Sequence, residues 1–478
     1  MSWAAFICLI PLLYQFHLIS LFPTFQERLK KSCVTGFLFG LLFMGFQVSW
    51  IFKLIPFSTR PNIIILFIVF ALFQALFYVG LSLLYCSVKH RLALFPFCWV
   101  LCELARSYGY FGSTHFDLGY SQVYFLSLLQ YASLGGLYFV SFLCVTINVI
   151  GVYLIINYQR TKHFFHINHI YLSLGMILFF IFSMFTSYVD VDKSEQLTIG
   201  LVQGNHEQLQ KLNKHKRPLI LQDYVTLSEQ LLQQQSIDLI IWPEIVINSL
   251  LQYNTKFLTK LDTLATHHDT SFLFGLPRKD KSQYYNSSAL LQPHTSLLFS
   301  DKTRLMPFGE FWPLKPVFKF FNLDNIIPGS EFSVGKPLTT LPFKNQKLAI
   351  GICLESTYPS FFRSLTQQGA TMLIAIANSA WFYDSWISKS HFNMGIMRAV
   401  ENGRPFLQCS NIGISGVVSA TGQVLAQTQQ NKQELLTIKV PITSKTTLFT
   451  RFGHWIGWFS CLIILVNFLV PYFQKNRS

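Results

Sequence analysis

Charge is distributed along this chain in a way that constrains its architecture before any motif is considered. Residues 1–189 contain three acids (Glu27, Glu103 and Asp117) against ten Lys and Arg, whereas the other 19 of 22 acids and 27 of 37 bases lie in 190–478. Soluble domains carry about a quarter charged residues, and this chain has 12%. The deficit is gathered into apolar runs, and a bilayer-crossing helix needs roughly 20 such residues. Residues 3–22, 34–52, 62–88 and 163–189 each qualify. Residues 118–159 hold 42 positions without a charge, enough for one span preceded by a re-entrant or interfacial piece. The run 92–102 continues into Glu103 and Arg106, which sit at i and i+3 and can pair. With 454–474 the expectation is a membrane α-helical bundle of about seven spans. Helices 1–6 occupy 1–189, a C-terminal helix occupies 452–478, and a water-facing domain occupies 190–451.

Basic residues fall in alternate connections: Arg28, Lys30 and Lys31, then Lys89 and Arg91, then Arg160 and Lys162, then Lys475 and Arg477. Such loops mark the cytoplasmic side. The expected N-terminus is therefore outside, the C-terminus inside, and 190–451 on the outer face. No basic n-region precedes the first apolar run, so that run is expected to be retained as a span. The net charge of +15 reads as this loop bias together with attraction to anionic lipid. No basic block with interleaved aromatics points to nucleic acid.

The water-facing part has short, β-rich apolar runs at 197–205, 239–244, 271–277, 288–293, 347–355, 370–378, 413–422 and 435–441. Helical patterns lie between them at 218–235 and 391–402, the second ended by Gly403. Strands that are apolar throughout indicate sheets covered on both faces, hence an α/β layered domain. The Pro-, Phe- and Lys-rich segment 301–345 reads as a long loop with short elements.

Three strand ends carry chemistry. LIIWPE ends on Glu244, the SLLFSDK run ends on Lys302, and LAIGIC ends on Cys353. A cysteine nucleophile needs a base for its proton and a cation or donor for the oxyanion, and these residue types supply both. Taken singly, each has an ordinary reading: a solvated strand end for the charged residues, a core cysteine for the thiol. Only Cys353 and Cys409 lie in the water-facing part, and a disulfide between them would exclude a nucleophile. His163, His166 and His169 recur at every third position beside a span, and an interfacial role is expected for them. No metal or cofactor is expected.

The surrounding strings narrow the reading. WPE at 242–244, KTRLMPFGEFWPL at 302–314, GICLES at 351–356, NSAWF at 378–382 and MRAVENGRP at 397–405 together resemble the nitrilase superfamily. GFLFGLLFMGFQVSW (36–50), LGYSQ (118–122) and QYASLGGLYFVSF (130–142) resemble its membrane branch, the apolipoprotein N-acyltransferase family. The resemblance implies an αββα outer domain with a Glu244–Lys302–Cys353 triad. It assigns Glu310 to orient Lys302, Glu355 to support the site, and the backbone N–H of Leu354 to join Lys302 at the oxyanion. Trp242 and Trp381 would line the acyl entrance. Lys302 would also favour the Cys353 thiolate and, as a strand-end side chain, contribute little to packing.

The implied reaction moves the sn-1 acyl chain of a membrane phospholipid, through a thioester on Cys353, to the α-amine of a diacylglyceryl-modified N-terminal cysteine of an apolipoprotein. A monomer in the bacterial inner membrane, with its catalytic domain facing the periplasm, is the implied setting. Leu354 stands where the family usually has tyrosine, and Ser379 where it usually has aspartate. Two other readings stand beside this one: a membrane-tethered carbon–nitrogen hydrolase, and a non-catalytic lipid- or lipoprotein-binding relative.

Overall fold

A computed structural model describes residues 2–162, 195–313, 315–320, 331–382 and 385–475. The expected span at 163–189 and its three histidines lie outside them. The chain divides into two compact units. One is Met1–Ser49, Ile64–Val189 and Phe452–Ser478, and the other is Trp50–Ile63 with Asp190–Arg451.

The first unit is helical: α1 (Ile10–Ser20), α2 (Phe25–Gln47), α3 (Arg60–Ser87), α4 (Arg91–Arg106), α5 (Ala132–Thr161) and the C-terminal helix Trp455–Lys475. Among the described residues four helical stretches are long and apolar enough to cross a membrane: Ser2–Ser20, Phe25–Phe57, Arg60–Ser87 and Ala132–Thr161. The charge-free run at 118–159 resolves into a 3-10 turn (Leu118–Gln122), a short helix (Leu126–Leu129) and then α5. Helices α2 and α3 touch at backbone distance. A Cβ on Gly36 would lie 2.5 Å from the Tyr78 carbonyl oxygen, and one on Gly40 would lie 3.0 Å from Ala75 Cα. Small residues four apart permit this close approach. The expected Glu103–Arg106 pair gives way to other partners. Arg106 Nη2 lies 3.5 Å from Asp117 Oδ1, while Glu103 accepts from the Trp99 indole (2.8 Å) and the Leu118 N–H (2.7 Å). The turn after α4 delivers these partners, which sequence spacing on one helix does not foresee.

The second unit contains strands β1 (Gln196–Gln203), β2 (Leu239–Ile241), β3 (Ser271–Asp280), β4 (Gln283–Leu291), β5 (Leu298–Asp301), β6 (Leu341–Phe343), β7 (Gln346–Ile352), β8 (Met372–Ala377), β9 (Phe406–Ser410), β10 (Gly416–Val418), β11 (Val424–Gln427) and β12 (Glu434–Pro441). They form two six-stranded sheets, ordered β12-β1-β2-β3-β4-β5 and β11-β10-β9-β8-β7-β6. Period-2 alternation sends Ile199, Leu201, Ile241 and Leu273 of one sheet against Leu348, Ile350, Ile352 and Ile374 of the other, in a dry core between them. The opposite face of the first sheet, including Ile240, Phe272 and Phe274, packs on helices α6 (Arg217–Gln234) and α7 (Thr255–His268). Helices α8 (Pro359–Gln367) and α9 (Trp386–Asn402) cover the second sheet, and α9 ends at Gly403 with φ +62°. The result is the αββα layering expected of the outer domain.

Strand direction gathers the site. β2 runs parallel to β3, β3 antiparallel to β4, and β4 antiparallel to β5. The C-terminal ends of β2 and β5 therefore share one edge. Gly275 on β3 packs directly beneath the turn that follows β2. Its N–H donates to the Pro243 carbonyl (3.1 Å) and its own carbonyl accepts from Val246 N–H (3.0 Å). A Cβ there would come within 2.5 Å of Ile245 N and 2.6 Å of Glu244 Cα. Backbone atoms cannot rotate away, so Gly275→Ala is expected to destabilise the unit by about 1–3 kcal/mol and to lower the thermal midpoint of the purified protein. An unchanged midpoint would show that the 242–246 turn shifts freely.

Candidate active site

Each of the three strand ends turns sharply. After β2 the chain passes through Trp242, Pro243 and Glu244 to Ile245, whose φ is +39°. After β7 it reaches Cys353, whose φ is +52°. Non-glycine residues in this region cost roughly 1–3 kcal/mol each and persist only where the surroundings impose them. At Cys353 the imposing groups are visible. The Cys353 carbonyl accepts from Ser356 Oγ at 2.9 Å and lies 2.9 Å from His391 Nε2 on α9. Burial holds the His391 ring down at about 4, so it is neutral and its Nε2 carries the proton that the carbonyl accepts. The carboxylate of Glu355 ties the same turn to the next strand end. Its Oε2 accepts from Ile352 N–H (2.9 Å), and its Oε1 accepts from Thr303 N–H and Oγ1 (both 2.7 Å) and Arg304 N–H (3.1 Å). Burial pushes this carboxyl up to about 7, against donors that favour its charged form.

Lys302 follows β5. The Ser287–Asp301 pairing places Asn286 beside it, and Lys302 N–H donates to the Asn286 carbonyl at 2.8 Å. The Lys302 ammonium is buried between two carboxylates, 3.2 Å from Glu244 Oε1 and 2.9 Å from Glu310 Oε1. Asn286 Nδ2 donates to the same two oxygens at 2.8 and 2.5 Å. Glu310 Oε2 is fixed by Met306 N–H at 2.7 Å. Burial by itself would lower Lys302, but Glu244 and Glu310 outweigh it and hold the ammonium above the usual lysine range. Cys353 moves the other way from the thiolate expectation. Burial first, then the adjacent Glu244 carboxylate, push its thiol above the usual range despite the pull of Lys302. The resting group is a thiol, and a base must take its proton.

Glu244, Lys302, Glu310 and Cys353 line one cavity of about 210 Å³. Its apolar wall is made by Trp50, Leu54, Met306, Phe332, Trp381 and Phe382. Phe382 meets the Trp50 ring edge-on (5.0 Å), and Trp381 meets Phe57 (4.8 Å). Trp381 thus lines the cavity, and Trp242 does not. Residues alternate along a strand, so Ile241 faces the inter-sheet core and Trp242 faces the helices. There it is fully buried, and its indole donates to Ser228 Oγ at 2.9 Å. Leu354 is the second residue of the 3-10 turn Cys353–Thr357, where backbone N–H groups lack intrahelical acceptors. Cys409 is a free, buried thiol on β9, 3.1 Å from the Ile241 carbonyl; it forms no disulfide with Cys353. Asn286, His391 and the cavity residues Trp50, Leu54 and Lys211 were not anticipated. None stands in a string that carries the chemistry, although Trp50 closes one of the membrane-branch strings. Among the described residues no cluster of three His, Cys, Asp or Glu could hold a metal ion.

Comparisons with known proteins identify relatives over most of the chain. The sequence profile described as carbon-nitrogen hydrolase matches residues 198–447, and the profile described as apolipoprotein N-acyltransferase N-terminal domain matches residues 1–150. A protein of Geobacter metallireducens named apolipoprotein N-acyltransferase is 28% identical over 76% of this chain and 71% of its own length. One of the same name from Methylococcus capsulatus is 29% identical over 89% of this chain and 85% of its own. Among solved structures, Nit3 of Saccharomyces cerevisiae, a member of branch 10 of the nitrilase superfamily, is 19% identical. It covers 52% of this chain and 91% of its own, with a TM-score of 0.41. The chain belongs to the carbon-nitrogen hydrolase family and, within it, to the branch that carries the apolipoprotein N-acyltransferase N-terminal domain.

Proposed function

We propose that this protein is an apolipoprotein N-acyltransferase of the bacterial inner membrane, with residues 190–451 facing the periplasm. The observation that carries the reading is a thiol, two carboxylates and a buried ammonium in one cavity walled by aromatic and aliphatic side chains. That wall suits an acyl chain, and the helical unit holds the enzyme where its lipid substrate resides.

In the first step Glu244 takes the proton of Cys353 as sulfur attacks the sn-1 ester carbonyl of a phospholipid. Negative charge develops on the carbonyl oxygen, beside the Lys302 ammonium and the Leu354 N–H. Collapse breaks the ester C–O bond, and the departing alkoxide takes the proton from Glu244, leaving a lysophospholipid and a thioester. In the second step the α-amine of the diacylglyceryl-cysteine attacks the thioester. Glu244 accepts its proton, and sulfur departs and is reprotonated. The product is an amide. Glu310 and Asn286 position Lys302, while Glu355 and His391 hold the turn that presents sulfur.

Incubation of the purified protein with phospholipid is expected to add one acyl chain to Cys353 by intact mass spectrometry, and a diacylglyceryl-modified peptide should then remove it as an amide. Release as free fatty acid instead would identify a hydrolase, and an unreactive thiol would identify a binding protein. Cys353→Ala should abolish the adduct and Cys409→Ala should keep it.

Lys302→Met is expected to slow acylation by about 10²–10³. It also leaves two carboxylates facing each other without a cation, so a stability loss of about 3–5 kcal/mol is expected in thermal or denaturant unfolding. This corrects the view of a lysine that contributes little to packing. Near wild-type acylation in this variant would remove Lys302 from the mechanism.

Glu355→Gln sets an amide NH₂ against backbone donors on one side or the other. A loss of about 1–3 kcal/mol and markedly slower acylation are expected, measured by melting and adduct formation. A fully active, equally stable variant would show that the turn after β7 holds its shape without the carboxylate.

A further inference from the structure

One charged residue of the cavity has no part in the steps above. Lys211 lies on the short helix Gln208–Leu212, is 1% exposed, and lines the cavity with Glu244, Lys302 and Cys353. Lys302 has two carboxylates within 3.2 Å. The only polar contact of the Lys211 ammonium among the described residues is the backbone carbonyl of Glu244, at 3.5 Å. A buried ammonium with so little compensation is costly, and an anion entering the cavity would offset that cost.

Resting on the reading just given, we propose that Lys211 binds the phosphodiester of the acyl donor and so selects glycerophospholipids over uncharged glycerides carrying the same ester. The donor places a permanent anion a few bonds from its sn-1 carbonyl. The cavity offers two separate cations. Lys302 is committed to Glu244 and Glu310, and Lys211 is left for an anion that stays bound throughout the reaction. Gln208, one turn earlier on the same helix, is fixed by Asn378 Nδ2 at 2.9 Å, which limits movement of this wall.

The empty site has a titration that can be followed. Burial pulls Lys211 down to about 7, with the Glu244 carboxylate opposing. Lys211 in turn is one of the groups that lower His206, whose ring lies 3.1 Å from Asp223 and is pulled down chiefly by burial. Below about pH 7 the ammonium is present. As pH rises through that value the empty site loses its charge, and binding of a phosphodiester weakens.

The test compares acylation of Cys353 by dioleoylphosphatidylethanolamine and by dioleoylglycerol, each in neutral detergent micelles. The first carries the phosphodiester at zero net charge, so attraction to a basic protein is not what differs. Lys211→Met is expected to raise KM for the phospholipid about 10–100-fold and to leave KM for dioleoylglycerol unchanged, while Lys211→Arg keeps the phospholipid KM low. In the wild type, KM for the phospholipid should rise between pH 6 and 9 and that for dioleoylglycerol should not. This pH comparison carries the test if Lys211→Met fails to fold. Equal effects on both lipids, or none on either, overturn the proposal. Inhibition of dioleoylglycerol acylation by inorganic phosphate that disappears in Lys211→Met would assign the site to free phosphate and also overturn it. A wild-type thiol acylated by neither lipid refutes the acyltransferase reading itself, before any variant is made.

Discussion

A single ammonium organises the reactive end of the layered unit. Two carboxylates cannot share a buried site unless something neutralises them, and Lys302 lies between Glu244 and Glu310 at hydrogen-bonding distance from both. The pairing of β4 with β5 sets the lysine beside Asn286, and Asn286 clamps the same two oxygens. Each member depends on the others. Without Lys302 the carboxylates repel, and without them the buried ammonium is unsupported. With the cluster intact, the Glu244 carboxylate lies beside a thiol that burial pushes up, the pairing that the proposed deprotonation requires.

The backbone around that cluster is held in uncommon shapes from outside. Ile245 and Cys353 both have positive φ, and neither sits in a place where sequence alone would put glycine. Gly275 on the neighbouring strand gives the first turn room. His391 and Ser356 hold the carbonyl of the second, and Glu355 bridges from Ile352 to Thr303 and Arg304. The strain is local and the restraint comes from three different elements, so the sulfur is presented by the layered fold as a whole.

Much of this was legible in the sequence where the signal was local. Charge-free runs gave helices, apolar runs gave β1, β3, β7 and β8, and Gly403 ended α9. The strings around Glu244, Lys302, Glu310 and Cys353 pointed to one site because together they resemble a known family; strand-end placement alone left each charged residue and the cysteine with an ordinary reading. Short, mixed strands such as β9 (FLQCS) and β11 (VLAQ) carry no comparable period and were missed. The error at Trp242 has a plain cause: proximity in sequence to Glu244 says nothing about which face a side chain takes, and one residue of register reverses it. Asn286 and Lys211 were invisible for a different reason. Their importance arises from strand pairing and burial, and nothing in their own neighbourhoods marks them.

The wall formed by Trp50 and Leu54 belongs to the stretch Trp50–Ile63, which in sequence lies between helices of the first unit but packs with the second. The polypeptide therefore passes back and forth between the two units four times. A gene fragment encoding only residues 190–451 would contain every ionisable group of the cavity and yet lack Trp50 and Leu54 from its apolar wall. Trp50 and Leu54 thus close a cavity whose other lining residues lie more than 140 positions further along the chain.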